Sequence, residues 1–141
     1  MFVKQISVFL ENRCGAAADV LAILSKAGIN IRTLSIAETD DYGIMRIIVA
    51  QPELAKHILQ EQGIMVKRTD VIAISMPDAP GGISGVMEIL RQANVSVEYM
   101  YAFVGRDDGN AVVVAKTDQN ALACEVLQNN GVSILTTAQL L

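Results

Sequence analysis

The sequence repeats itself. One constant shift places Gly15 on Gly81 and, in the same register, Ala17, Val20, Leu21 and Leu24 on Ile83, Val86, Met87 and Leu90. Ala27 then falls on Ala93, Ile29-Asn30-Ile31 on Val95-Ser96-Val97, Asp41 on Asp107 and Gly43 on Gly109. After a short slip, Leu54, Ala55, Ile58 and Leu59 fall on Leu122, Ala123, Val126 and Leu127, and Gly63 on Gly131. Apolar register and glycine positions kept together over such a span mark two copies of one supersecondary unit. The copies are expected at residues 1–70 and 71–141. No Pro/Gly-rich linker separates them near Asp70, so the halves are expected to be tightly apposed.

Each copy alternates between the two hydrophobic periods. Ile6, Val8 and Leu10 alternate as in a half-buried strand, and Glu11-Asn12-Arg13-Cys14-Gly15 breaks it. Ala17, Val20, Leu21, Leu24 and Ala27 have helical spacing, with Gly28 as the stop. Ile31 to Thr39 and Ile44 to Ala50 read as strands joined by Asp40-Asp41-Tyr42-Gly43. Pro52 opens a second helix, where its missing N–H costs nothing, and Gly63 stops it. A short strand around Met65–Arg68 closes the copy. In copy two, strands are expected near Val71–Met76, Val97–Val104, Ala111–Lys116 and Ser133–Leu135, and helices near Gly82–Ala93 and Gln119–Asn129. The order βαββαβ is the ferredoxin-like unit, a four-stranded antiparallel sheet with two helices on one face, so the fold class is α+β.

Composition narrows the function classes. Of 141 residues, 52% are hydrophobic and 18% charged, which provides a core and excludes a disordered chain. A net charge of −4 argues against nucleic-acid binding, which needs a basic patch. No apolar run is long enough to span a membrane, and the N-terminus lacks the pattern of a secretory signal. Cys14 and Cys124 stand far apart without a CxxC, which excludes a disulfide scaffold or zinc finger and fits a cytoplasmic protein. No metal site and no cofactor are expected. His57 is the single histidine, on a helix, with no nucleophile near it in sequence. No catalytic residue is therefore assigned, and the chain is expected not to be an enzyme. The turn Arg106-Asp107-Asp108-Gly109 reads as a solvated hairpin, because it lacks EF-hand spacing.

The informative segment is the first strand-to-helix turn. In copy two it reads Met76-Pro77-Asp78-Ala79-Pro80-Gly81-Gly82-Ile83. Paired glycines let a ligand approach the backbone, and the helix N-terminus behind them offers unpaired N–H groups to a carboxylate. Asp78 can accept an ammonium. Together these are what a free α-amino acid requires. The same turn also reads simply as a helix cap.

Both copies resemble the ACT domain, the regulatory module of amino-acid metabolism. Glu11-Asn12-Arg13-Cys14-Gly15 with Gly28-Ile29-Asn30-Ile31 resembles the serine-sensing ACT domain of phosphoglycerate dehydrogenase. The chain departs from that pattern with Cys14 in place of a Pro and Leu10 in place of a ligand-contacting His. Pro77-Asp78-Ala79-Pro80-Gly81 resembles the effector loop of aspartate kinases, with Ser96 where the pattern has Asn. The resemblance implies two units side by side in one eight-stranded antiparallel sheet with four helices on one face. It implies effector sites at the seam. The principal one is expected to combine Asp78, Ala79, Gly81, Gly82 and Ile83 with Asn30 and Ile31. A second would combine Asn12, Cys14, Gly15 and Ala16 with Ser96 and Val97.

The implied function is a sensor of a free amino acid that modulates a partner enzyme of amino-acid metabolism in trans. The alternatives are a regulatory subunit like the small subunit of acetolactate synthase, and a structural dimerisation module without ligand. A homodimer stays open.

Overall fold

A computed structural model describes residues 2–38, 40–103 and 108–141. Thr39, Val104, Arg106 and Asp107, which the sequence places at strand ends and in a hairpin, lie outside the described residues. The chain divides into two compact units. One comprises Lys4–Thr69; the other comprises Asp70–Leu141, with the N-terminal Phe2 and Val3.

The unit Lys4–Thr69 contains β1 (Val3–Glu11), α1 (Ala16–Lys26), β2 (Ile31–Glu38), β3 (Tyr42–Val49), α2 (Pro52–Glu61) and the start of β4 (Val66–Pro77). Its strand order is β2-β3-β1-β4. Leu10 lies opposite Gly43 across β1 and β3, and Leu34 opposite Ile47 across β2 and β3, both pairs antiparallel. The Phe9 N–H donates to the Met65 carbonyl at 3.0 Å. The apolar residues that set the sequence periods meet in one core. Ile6, Val8, Leu10, Val20, Leu24, Met45, Ile47 and Leu59 are all buried in it.

The second unit repeats the plan. Its elements are the rest of β4, then α3 (Gly82–Gln92), β5 (Val97–Phe103), β6 (Asn110–Thr117), α4 (Asn120–Asn129), β7 (Ser133–Leu135) and α5 (Thr137–Leu140). β4 pairs antiparallel with both β6 and β7, and β5 pairs with β6, giving the order β7-β4-β6-β5. Its core gathers Ile72, Ile74, Met76, Val86, Leu90, Val113 and Leu127, and Phe2 packs on it. Asn120 fastens the start of α4. Its Oδ1 accepts from the Thr117 N–H at 3.0 Å and its Nδ2 donates to the Asp70 carbonyl at 3.0 Å.

The eight-strand, four-helix expectation needs correcting. Among the described residues there are seven strands and five helices. Two expected strands, around Met65–Arg68 and Val71–Met76, are one: β4 runs unbroken through Thr69-Asp70, where no Gly or Pro interrupts it. It serves as the last strand of one unit and the first of the next. The extra helix, α5, forms behind a capping box. The Gln139 N–H donates to Thr136 Oγ1 at 3.2 Å, and the Thr136 N–H donates to Gln139 Oε1 at 2.8 Å.

Candidate functional site

Both strand-to-helix turns are built on a left-handed glycine. Gly15 (φ 85°) and Gly81 (φ 88°) each stand immediately before a helix, and neither helix has a side-chain cap at its N-terminus. Only glycine adopts this backbone without strain. In copy two the turn closes on itself. The Gly82 N–H donates to the Ala79 carbonyl at 3.0 Å and the Gly85 N–H to the Gly81 carbonyl at 2.8 Å. The Gly82 amide is thus engaged within the turn. The Ile83 and Ser84 amides have no main-chain acceptor among the described residues.

A concavity of about 410 Å³ opens beside this turn, walled by Met76, Pro77, Pro80, Val86, Ile89 and Val132, with Gly81, Gly82 and Gly85 along one side. Gly81 and Gly82 are the expected site residues that line it. Asp78, Ala79 and Ile83 are exposed and do not. Asn30 and Ile31 lie in the other unit, lining a shallow hollow with Leu21, Ser25 and Leu34. The Asn30 side chain is exposed and has no hydrogen-bond partner among the described residues.

The corresponding cavity of the first unit, of about 490 Å³, is lined by Leu10, Ala16, Val20, Gly63 and Ile64, the repeat positions of Met76, Gly82, Val86, Gly131 and Val132. Its rim is charged. Arg13 Nη2 donates to Asp19 Oδ2 at 2.7 Å, Nε to Glu11 Oε2 at 3.0 Å, and Nη1 to the Cys14 carbonyl at 3.4 Å. The bonds to Asp19 and then Glu11 push the Arg13 pKa above its ordinary value. In copy two the positions of Arg13 and Asp19 are held by Ala79 and Gly85, so this cross-rim bridge has no counterpart. No local sequence pattern announces the Arg13 network, because Arg13 and Asp19 meet only once the turn has formed. Asn12, Gly15 and Ala16 line the first unit's concavities, whereas Cys14 is exposed beside them. Ser96 and Val97 lie in the other unit. There the Ser96 N–H donates to Asp118 Oδ1 at 2.9 Å, and the Asp118 N–H returns to the Ser96 carbonyl at 3.0 Å.

His57 is exposed on α2, with Nε2 3.0 Å from Glu61 Oε1 one helical turn on. Among the described residues no group of three or more His, Cys, Asp or Glu side chains could hold a metal ion, and no helix is long and apolar enough to cross a membrane. Cys124 is buried among the α4 core residues, and burial pushes its thiol pKa up. Alkylation of the native protein is therefore expected to label Cys14 alone, with a second adduct only after unfolding; mass spectrometry counts them, and rapid native labelling of Cys124 would contradict the packing.

A family model described as an ACT domain pair matches residues 1–141. The chain is 34% identical over 70 residues to the acetolactate synthase isozyme 3 small subunit of Escherichia coli K12, a match covering 50% of this chain and 43% of that subunit. It thus matches less than half the length of that relative. Among solved structures it resembles protein BT0572 from Bacteroides thetaiotaomicron, with 38% identity and a TM-score of 0.91 over 99% of this chain and 96% of that one. The ligand-free regulatory subunit of aspartate kinase from Thermus thermophilus shares the fold at 15% identity, with a TM-score of 0.64 over 89% of this chain and 91% of that one.

Proposed function

Because the chain belongs to the ACT domain pair family, we propose that it is a regulatory sensor without catalytic activity of its own, which binds a free amino acid and modulates a partner enzyme of amino-acid metabolism. The observation that carries this reading is the copy-two turn. Two open amides, Ile83 and Ser84, head α3 beside a glycine-sided apolar cavity, and the exposed Asp78 stands on the same turn. A ligand carboxylate on those amides meets the positive end of the helix. Its ammonium goes to Asp78, and the apolar walls favour an aliphatic side chain. Asn30 and Ile31 complete the proposed principal site, and Asn12, Cys14, Gly15 and Ala16 with Ser96 and Val97 form a weaker second one.

Thermal denaturation in the presence of each of the twenty amino acids tests the reading. A ligand at 100 times its Kd is expected to stabilise the native state by about 2.7 kcal/mol. In calorimetry Asp78→Ala is expected to weaken that ligand by about 1.5–3 kcal/mol, the worth of a hydrogen bond to a charged group. Asn30→Ala is expected to remove the tight site and Ser96→Ala to leave it. Unchanged affinity in Asp78→Ala would take Asp78 out of the site. No response to any amino acid would leave a structural dimerisation module.

A second reading, a regulatory subunit of acetolactate synthase, draws on the 34% match to that enzyme's small subunit. Co-purification with an acetolactate synthase catalytic subunit, and a ligand-dependent change in that enzyme's rate, would single it out.

A further inference from the structure

The first unit's cavity keeps the floor of the second and changes its mouth. Leu10, Val20 and Ile64 stand where the second cavity has Met76, Val86 and Val132. Around the opening, Phe9, Glu11 and Met65 take the repeat positions of Ser75, Pro77 and Ser133. Apolar surface is left uncovered there: Met65 is 69% and Tyr42 42% exposed. The Phe9 and Tyr42 rings stand 5.8 Å apart, tilted by 49°. Glu11 lies directly opposite Tyr42 across β1 and β3, which sets a carboxylate beside that ring. Asp19 and Asp41 also line the cavity, and among the described residues Arg13 is its one cation. Three carboxylates and one guanidinium leave the mouth net negative by two charges. Arg13 is already engaged by Glu11 and Asp19, whereas Asp41 is in no ion pair among the described residues. The open amides at the head of α1, those of Ala17 and Ala18, offer an anion nothing here. Both residues line the neighbouring hollow beside Ile36 and Gly43, and neither lines this cavity.

We propose that this cavity is a separate ligand site for an organic cation, a primary ammonium on an aromatic or branched apolar body without a carboxylate. The apolar body fills the floor of Leu10, Val20 and Ile64 against Met65. The ammonium stays at the mouth, on the Tyr42 ring and among Glu11, Asp19 and Asp41, where ring face and carboxylates attract the same charge. A ligand carboxylate would have to displace Asp19 or Glu11 from Arg13 and enter a negative mouth. A volume of about 490 Å³ suits a small molecule. The site uses neither Asp78 nor the Ile83 and Ser84 amides, so it stands or falls apart from the amino-acid site proposed above.

Two-dimensional amide NMR of the full chain tests it, with phenethylamine, hydrocinnamate and phenylalanine as probes that share one body and differ in charge. Phenethylamine is expected to shift the amides of Phe9, Ile64 and Met65, and hydrocinnamate to leave them. Phenylalanine should bind there at least about tenfold more weakly, a gap of about 1.4 kcal/mol. The double variant D19N/D41N should weaken phenethylamine by about fivefold or more, since two exposed ion pairs are lost. Tyr42→Leu keeps apolar bulk but removes the ring face, and should weaken it by about two- to fivefold. Asp78→Ala should leave it unchanged. No shift at these amides with millimolar phenethylamine overturns the proposal. So does equal binding of hydrocinnamate or phenylalanine there, or an affinity that survives both D19N/D41N and Tyr42→Leu.

Discussion

Leu59→Ala and Leu127→Ala are each expected to cost about 2–5 kcal/mol of stability, the range for deleting a buried leucine and leaving a cavity. The two leucines occupy the same position of the repeat, and both are 0% exposed. Leu59 sits on α2 in the core with Ile6, Leu24 and Ile47; Leu127 sits on α4 in the core with Ile72, Leu90 and Val113. Each is flanked by β-branched strand residues whose side chains have few alternative rotamers, so neither cavity can collapse cheaply. A domain is stable by only about 5–15 kcal/mol, so either change removes a large part of the total. For a chain of this size the midpoint should fall by roughly 10 °C, whereas Met65→Ala, at a side chain 69% exposed, should move it little. A loss under about 1 kcal/mol at either leucine, measured by urea denaturation with unchanged m-value, would contradict the packing of that core.

The sequence made these positions legible because periodicity and repetition agreed. Val20, Leu24 and Leu59 were marked by helical spacing, and Val86, Leu90 and Leu127 by the same spacing one copy later; all six are buried. The left-handed turns were legible through Gly15 and Gly81. What escaped has physical reasons. The repeat implied an interruption near Asp70, but Lys67-Arg68-Thr69-Asp70 contains no residue that refuses an extended backbone, and β4 runs through it. Thr136-Thr137-Ala138-Gln139 carries a capping-box signature for α5, but it lies beyond the last strand of the repeat, so the duplication does not announce it. Gly63, Ile64, Gly131 and Val132 line the cavities from the far end of each unit, a contact that no local pattern announces. Gly63 and Gly131 were legible only as helix stops.

Gly82→Ala is expected to lower both stability and ligand affinity, although alanine is the better helix former. A Cβ on Gly82 would lie 2.2 Å from the Pro77 carbonyl oxygen, and real Cβ atoms essentially never come within 3.0 Å of such a neighbour. The obstructing atom is backbone, so no side chain can rotate away. The gain from alanine is about 1 kcal/mol, from helix propensity and a less flexible unfolded chain. Overpacking costs about 1–3 kcal/mol and occasionally more, and a contact this short falls at the upper end, so a net loss of about 2 kcal/mol is expected. Gly85, one turn on and lining the same cavity, is the internal control. A Cβ there meets nothing within 4 Å, so Gly85→Ala should raise stability by about 0.4–1 kcal/mol. The pair also separates the turn from the helix in binding. Displacing the Pro77 carbonyl moves the peptide that leads into Asp78, so Gly82→Ala should lose the amino acid even at temperatures where it remains folded. Gly85→Ala leaves that peptide in place and should lose binding only if its methyl group occupies ligand space. Equal melting temperatures for the two variants would mean that the turn relaxes freely around Gly82. Its close approach to Pro77 would then be no constraint on the site.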